Sequence, residues 1–204
     1  RLVSMTDKVT KSERTRQRIL DAAAAVFRES GYANARLVDI AERAGMQTGS
    51  LYYHFDSREV LVEEILRLGI EIAWAHVRAA VDGLGEGADP VEKLAAAVHV
   101  HTMAVLEISD YASAQTRIVG QVPPELAKPH YLDQRNYGEY WHELLLDVEA
   151  AGRLRTGVDI FNARMLAFGA MNWTSEWFDA ARGPSAEEIA DQTVLVVLGG
   201  LLGD

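Results

Sequence analysis

The chain has 204 residues, 49% of them hydrophobic and 25% charged, a balance that builds a packed core and excludes disordered and fibrous classes. It has no cysteine, which excludes a disulfide framework, a thiolate metal site and a cysteine nucleophile and fits a cytoplasmic chain. The net charge of −10 speaks against nucleic acid only as a sum: residues 1–60 hold ten Lys/Arg against eight Asp/Glu, and residues 61–204 hold ten against twenty-two.

Lys8, Lys11, Arg14, Arg16 and Arg18 cluster before and inside the first predicted helix, a basic footprint suited to phosphates or simply to solvent. That helix covers 12–30 on the apolar stripe Ile19, Ala23, Val26 and Phe27, with Gly31 as its stop. A second, at 37–44, ends on Gly45. A third begins about three residues later, with Thr48 or Ser50 as its cap and Leu51 and Phe55 facing inward. Asp56 and Glu59 have the spacing of a capping box for a long helix that the glycines from Gly83 end. Helices follow at 91–108 behind Pro90, 110–119 behind Ser109, 123–150 with a bend at Pro129, 159–181, and 185–202. No stretch alternates as a strand does. The expectation is an all-α chain of about nine helices.

The longest strongly apolar run, 194–202, falls far short of the roughly 20 residues that cross a bilayer, so no membrane partner is expected. Met5 reads as a start, preceded by Arg1 to Ser4 without the apolar stretch of a secretory leader.

Ala41, Gly45 and Leu51 have the internal spacing of a helix-turn-helix. A small residue stands where the helices touch, glycine makes the turn, and leucine anchors the second helix. The remaining face of that helix is free to enter a major groove about 12 Å wide. The surrounding string 31–61, above all Leu51-Tyr52-Tyr53-His54-Phe55 followed by Ser57-Arg58-Glu59, closely resembles the DNA-binding segment of the TetR (tetracycline repressor) family. The resemblance is specific over about 12–62; beyond that it is a helix pattern only.

The resemblance implies base-edge and thymine contacts at Thr48, Gly49, Ser50 and Tyr52, and phosphate contacts at Tyr53, His54 and Arg58. Where the family often opens its second helix with a Thr pair and a basic residue, this chain has Ala35, Arg36, Leu37 and Val38, so Arg36 is the candidate replacement; Thr48 also stands where Lys is common. Adjacent helical positions do not share a face, so one of Tyr52 and Tyr53 is expected in the core.

The resemblance further implies an N-terminal arm and three-helix DNA-binding domain at 1–56, and a helical ligand-binding and dimerisation domain at 57–204. In that body Tyr137, Trp141, Phe168 and Asn172 combine apolar area with polar handles and are the candidate cavity residues. Phe161, Met165, Gly169, Thr193, Val197 and Gly200 on the last two helices are the candidate dimer interface. His99 and His101 are two apart on a helix and point in different directions, so no metal pair is expected; no cofactor is expected either.

The implied function is a ligand-responsive repressor that binds a palindromic double-stranded DNA operator as a homodimer and is released by a small apolar or aromatic effector. The helix 57–84 is the expected lever between cavity and DNA. The alternative is a regulator with no small ligand, controlled by a protein partner or acting as an activator. An enzyme is not expected: Ser, His and Asp are present, but no Gly-x-Ser-x-Gly elbow and no strand to carry one.

Overall fold

The computed structural model describes residues 10–203; Lys8 and the readings on residues 1–5 lie outside the described residues. Helix α1 (Lys11–Asn34) opens on a capping box: the Thr10 hydroxyl accepts from the Glu13 amide, and the Glu13 carboxylate accepts from the Thr10 amide at 2.7 Å. Gly31 does not stop this helix but kinks it at φ +69°. The Tyr32 amide freed by the kink donates to Gln121 Oε1 at 2.9 Å, and the chain returns to helix for one last turn.

Helices α2 (Leu37–Arg43) and α3 (Thr48–Leu51) flank the turn at Gly45, whose φ of +67° suits glycine. Gln47, without a side-chain cap, precedes α3, so neither Thr48 nor Ser50 caps it. Helix α4 (Arg58–Gly83) is capped by Ser57, which accepts from the Val60 amide at 3.3 Å; the expected cap Asp56 stands one residue too early.

Helix α5 (Pro90–Met103) starts behind the Asp89 cap, then widens into a π-helical turn over Ala104–Ile108 rather than continuing as α-helix to 108. Polar side chains claim its carbonyls: the Ser113 hydroxyl donates to Val105 O, and Arg28 Nη2 donates to Leu106 O at 3.3 Å. Helix α6 (Asp110–Ile118) is capped by Ser109. The expected bend at Pro129 is a 3₁₀ turn, Lys128–His130, joining the single-turn α7 (Pro124–Ala127) to α8 (Tyr131–Ala150).

Helix α9 (Ile160–Trp177) ends short of the expected residue 181, because Phe178 turns extended and packs against Leu106, Ala186 and Ile189. Helix α10 (Ala186–Leu201) opens on a Ser185–Glu188 capping box. If α7, the 3₁₀ turn and α8 are counted as one bent helix, the described residues hold the nine expected; extended pairing is limited to one bridge, Leu154 to Leu202.

Two apolar cores organise the molecule. The first joins Phe27, Ile40 and Leu51 of α1–α3 to Leu61 and Leu66 of α4 and Ile118 of α6. Each such side chain contributes about 1.5–3 kcal/mol by leaving water. The second gathers Val77, Leu94, Trp141, Leu145 and Met171 from α4, α5, α8 and α9. The first core crosses residue 56, so the helix-turn-helix is packed onto the body and not strung from it. Helix α4 takes part in both cores, and it crosses α6 where Gly69 lies; a Cβ there would stand 2.3 Å from Gln115 Cβ and 2.5 Å from the Tyr111 carbonyl.

Candidate functional site

Ala41 and Leu51 are buried, and the Met46 amide donates to Ala41 O at 2.9 Å, closing the turn between α2 and α3. This fixes the outer face of α3, where Gly49 is exposed and Thr48 and Ser50 are half-buried. Tyr52 and Tyr53 are 54% and 89% exposed, so neither is a core residue. The rule against adjacent positions sharing a face does not apply, because α3 ends at Leu51 and residues 52–54 form a turn that frees both rings. His54, half-buried, completes the patch.

Two cations expected at phosphates have partners within the protein. Arg36 donates from Nε and Nη2 to the Asp39 carboxylate at 2.9 and 2.6 Å, and this pairing holds the Asp39 carboxyl below the usual range. Its side chain stays largely exposed. Arg58 turns inward. Its guanidinium lies 4.2 Å from the Tyr32 ring centroid and donates to the Tyr32 carbonyl, which ties the start of α4 to the kink of α1. In this arrangement Arg58 supports the head from within.

A cavity of about 450 Å³ opens between α4, α5, α6, α8 and α9. Of the four expected residues, Tyr137, Phe168 and Asn172 line it. Trp141 is 1% exposed and stands behind, 5.1 Å from the Phe168 ring and edge-on to His101. Met165, expected at a dimer interface, also lines the cavity, as do Arg135, Glu139 and Arg164.

His101 is the principal residue that sequence reasoning missed. It lines the cavity, is buried, and has a ring nitrogen near each of Tyr137 Oη and Asn172 Oδ1, at 2.9 and 3.0 Å. Burial pushes its pKa down to about 4, outweighing the Asn172 hydrogen bond, and burial likewise pushes the Tyr137 hydroxyl up.

Two elements join cavity and head. Besides α4, helix α6 lines the cavity with Gln115 and Thr116. It is also bonded to α1: Asp110 accepts from Arg28 at 2.5 Å, and the Tyr111 hydroxyl donates to Asp21 at 2.6 Å while accepting from Gln17 at 3.0 Å. Both α4 and α6 thus connect the cavity wall to the head.

On the far side of α9 and α10, Leu166, Trp173, Trp177, Leu195 and Val196 form an exposed apolar face. The expected interface residues divide around it. Gly169 and Gly200 are exposed, Thr193 and Val197 line the groove between the two helices, and Phe161 with Met165 sits toward the cavity side of α9. Elsewhere His99 Nε2 stands 3.4 Å from carboxylate oxygens of both Glu187 and Asp191. With both acids exposed, this joins α5 to α10 as a surface ion pair whenever the imidazole is protonated.

A glycine-turned helix pair with an exposed polar and aromatic face, mounted on a helical body with a cavity, is the architecture of a helix-turn-helix transcriptional regulator. The chain matches the family model for bacterial regulatory proteins of the tetR family over residues 19–65, and that for the tetracyclin repressor-like C-terminal domain over residues 87–201. It belongs to the TetR family of transcriptional regulators.

Among its relatives is the HTH-type transcriptional repressor KstR2 of Mycobacterium tuberculosis (strain ATCC 25618 / H37Rv), 30% identical over 192 residues, 91% of this chain and 92% of that protein. KstR2 of Rhodococcus jostii (strain RHA1) is 32% identical over 193 residues, 91% of this chain and 90% of that one. The solved structure of the ketosteroid transcriptional regulator KstR2 of Mycobacterium tuberculosis superposes with a TM-score of 0.77 at 25% identity, over 93% of this chain and 95% of that one. The TetR family transcriptional regulator PfmR of Thermus thermophilus gives 0.75 at 27%, over 90% and 98%. No helix among the described residues is long and apolar enough to cross a membrane.

Proposed function

We propose that the chain is a ligand-responsive repressor that binds a palindromic operator as a homodimer and leaves it when an amphipathic, largely apolar effector fills the cavity. The observation that carries this reading is the double attachment of cavity to head through α4 and α6. A ligand that favours a different spacing of α4 and α6 necessarily acts on α1, because Arg28, Asp21 and Gln17 are bonded to α6.

Thr48, Gly49, Ser50 and Tyr52 are the proposed base-edge contacts, with Tyr53, His54 and Arg36 at phosphates. Ile70, Tyr137 and Phe168 surround the effector's apolar body, and Arg135 and Arg164 suit a polar or anionic end. KstR2, described as a ketosteroid regulator, is a relative whose ligand chemistry is compatible with such a cavity. The apolar face of α9 and α10 receives the same face of a second copy, which sets two α3 helices one DNA turn apart, about 34–36 Å, or further.

The test is an operator complex, formed on DNA flanking the gene at fixed salt and challenged with ketosteroids and acyl thioesters. Release by at least one, abolished in the cavity-filling variant Thr116→Phe while that variant still binds DNA, supports the reading. Affinity indifferent to every saturating compound contradicts effector control.

A further inference from the structure

The inner wall of the cavity carries a hydrogen-bonded chain with a fixed direction. His101 reaches from α5 between Tyr137 of α8 and Asn172 of α9, with Nδ1 2.9 Å from the Tyr137 hydroxyl and Nε2 3.0 Å from Asn172 Oδ1. An amide oxygen only accepts, so the hydrogen between these two groups is on Nε2. Burial keeps the imidazole neutral at ordinary pH, with a pKa lowered to about 4. It therefore has one N–H, and Nδ1 accepts the hydrogen of the Tyr137 hydroxyl.

What remains at the ends of this chain faces the ligand space. Asn172 and Tyr137 both line the cavity. With its oxygen held by His101, Asn172 has its amide N–H groups left to offer. The Tyr137 oxygen, having donated its hydrogen, retains lone pairs. The Phe168 and Trp141 rings stand 5.3 and 5.7 Å from the imidazole and enclose the chain in apolar surface, where an unmatched polar group is costly. Arg164, eight residues back along α9 from Asn172, is itself engaged by the Gly138 carbonyl at 2.6 Å.

We propose that Asn172, oriented by His101, is the specificity-determining donor of the cavity and selects effectors that carry an uncharged carbonyl on an apolar body. The proposal rests on the cavity being the effector site. A ketone, ester or thioester oxygen accepts from the Asn172 amide. A hydrocarbon leaves that donor unpaired, and a carboxylate in contact with it must give up its hydration among aromatic rings. His101 is a positioning residue, because it holds the amide in one of its two orientations.

The full-length protein is titrated with two fluorescent probes of similar shape. One is 6-propionyl-2-dimethylaminonaphthalene, an uncharged aromatic ketone whose emission moves to longer wavelength when its carbonyl accepts a hydrogen bond. The other is 2-dimethylaminonaphthalene, which lacks the carbonyl. The wild type is expected to bind the ketone about tenfold more tightly than the carbonyl-free probe, the ratio that one net hydrogen bond supplies.

Asn172→Leu is expected to bring the ratio close to one and shift the bound ketone's emission to shorter wavelength, with the carbonyl-free probe bound as well as before. Asn172→Asp keeps an acceptor for His101 and replaces the donor, so it too loses the preference, in a side chain of the same shape. His101→Phe is expected to lower the ratio and broaden the emission without abolishing binding, which a purely structural role does not produce. A preference that persists in Asn172→Leu and Asn172→Asp overturns the proposal while leaving the effector cavity intact. Failure of the wild type to bind either probe overturns the cavity reading and this proposal with it.

Discussion

Burial lowers the pKa of His101 to about 4 and moves His130 in the same direction. Both take up a proton near pH 6.5 once the chain unfolds. Between pH 6.5 and 4 the unfolded state thus binds more protons than the folded one, so stability rises with pH through that window and is level above it. For His101 the expected loss from pH 7 to pH 5 is about 2 kcal/mol, read from urea midpoints. His101→Gln is expected to flatten most of that slope. Carboxylates held low by partners, such as Glu29 by Arg43, act in the same sense, because the unfolded state again binds more protons, but lose their contribution only as pH falls through the carboxylate range. At this scale sequence reasoning was weakest. The partners of His101 lie 36 and 71 residues away, and no local spacing announces them. Arg58 is read as a phosphate contact from the local string alone, whereas the Tyr32 ring and carbonyl it touches are 26 residues distant. Arg58→Ala is expected to lower stability by about 1–3 kcal/mol, because it strips a donor from a partly buried carbonyl. A thermal or urea midpoint equal to that of the wild type would return Arg58 to the DNA surface.

Helices were legible where the chain carries its own punctuation. Gly45, Pro90 and Ser109 all mark ends where the structure has them. They act through backbone conformation or free amides within a few residues. The misses arise where a distant group overrides local preference. Ser113 and Arg28 widen the end of α5 into a π turn, and Phe178 leaves α9 for a pocket shared with α10. The close crossing of α4 and α6 at Gly69 is another such tertiary feature. Adding one methyl there, 2.3 Å from Gln115 Cβ and 2.5 Å from a backbone carbonyl, forces the helices apart. Gly69→Ala is expected to cost about 1–3 kcal/mol of stability and to change operator affinity in the ligand-free protein, since α6 is bonded to α1. Unchanged melting and unchanged DNA binding together would mean that this crossing does not transmit.

Over the whole molecule, the acidic balance sits in the body and the basic excess in residues 1–60, so the head meets DNA while the rest repels it. The helix-turn-helix was readable because its packing triad Ala41, Gly45 and Leu51 is contiguous in the chain. The cavity was readable only as aromatic richness, with three of four chosen residues on its wall. The dimer face proposed here lies part of a helical turn from the residues the sequence suggests, because α9 carries apolar residues on both its inner and outer sides, and only burial separates Met171 from Leu166. Leu166 and Val196 are 75% and 71% exposed. Leu166→Glu combined with Val196→Glu is expected to give a monomer in size-exclusion chromatography with light scattering, and to weaken operator binding by about a hundredfold through loss of the second half-site. A dimer that survives both changes would place the interface elsewhere.

The exposed face at 48–54 is the proposed operator-reading surface. Fluorescence anisotropy on the DNA flanking the gene, at two salt concentrations, with wild type and Tyr52→Ala, tests it most directly. The account predicts tight, site-specific binding by the wild type that weakens steeply with salt and is lost in the variant. Weak binding that is equal on all sequences and indifferent to Tyr52 would contradict it.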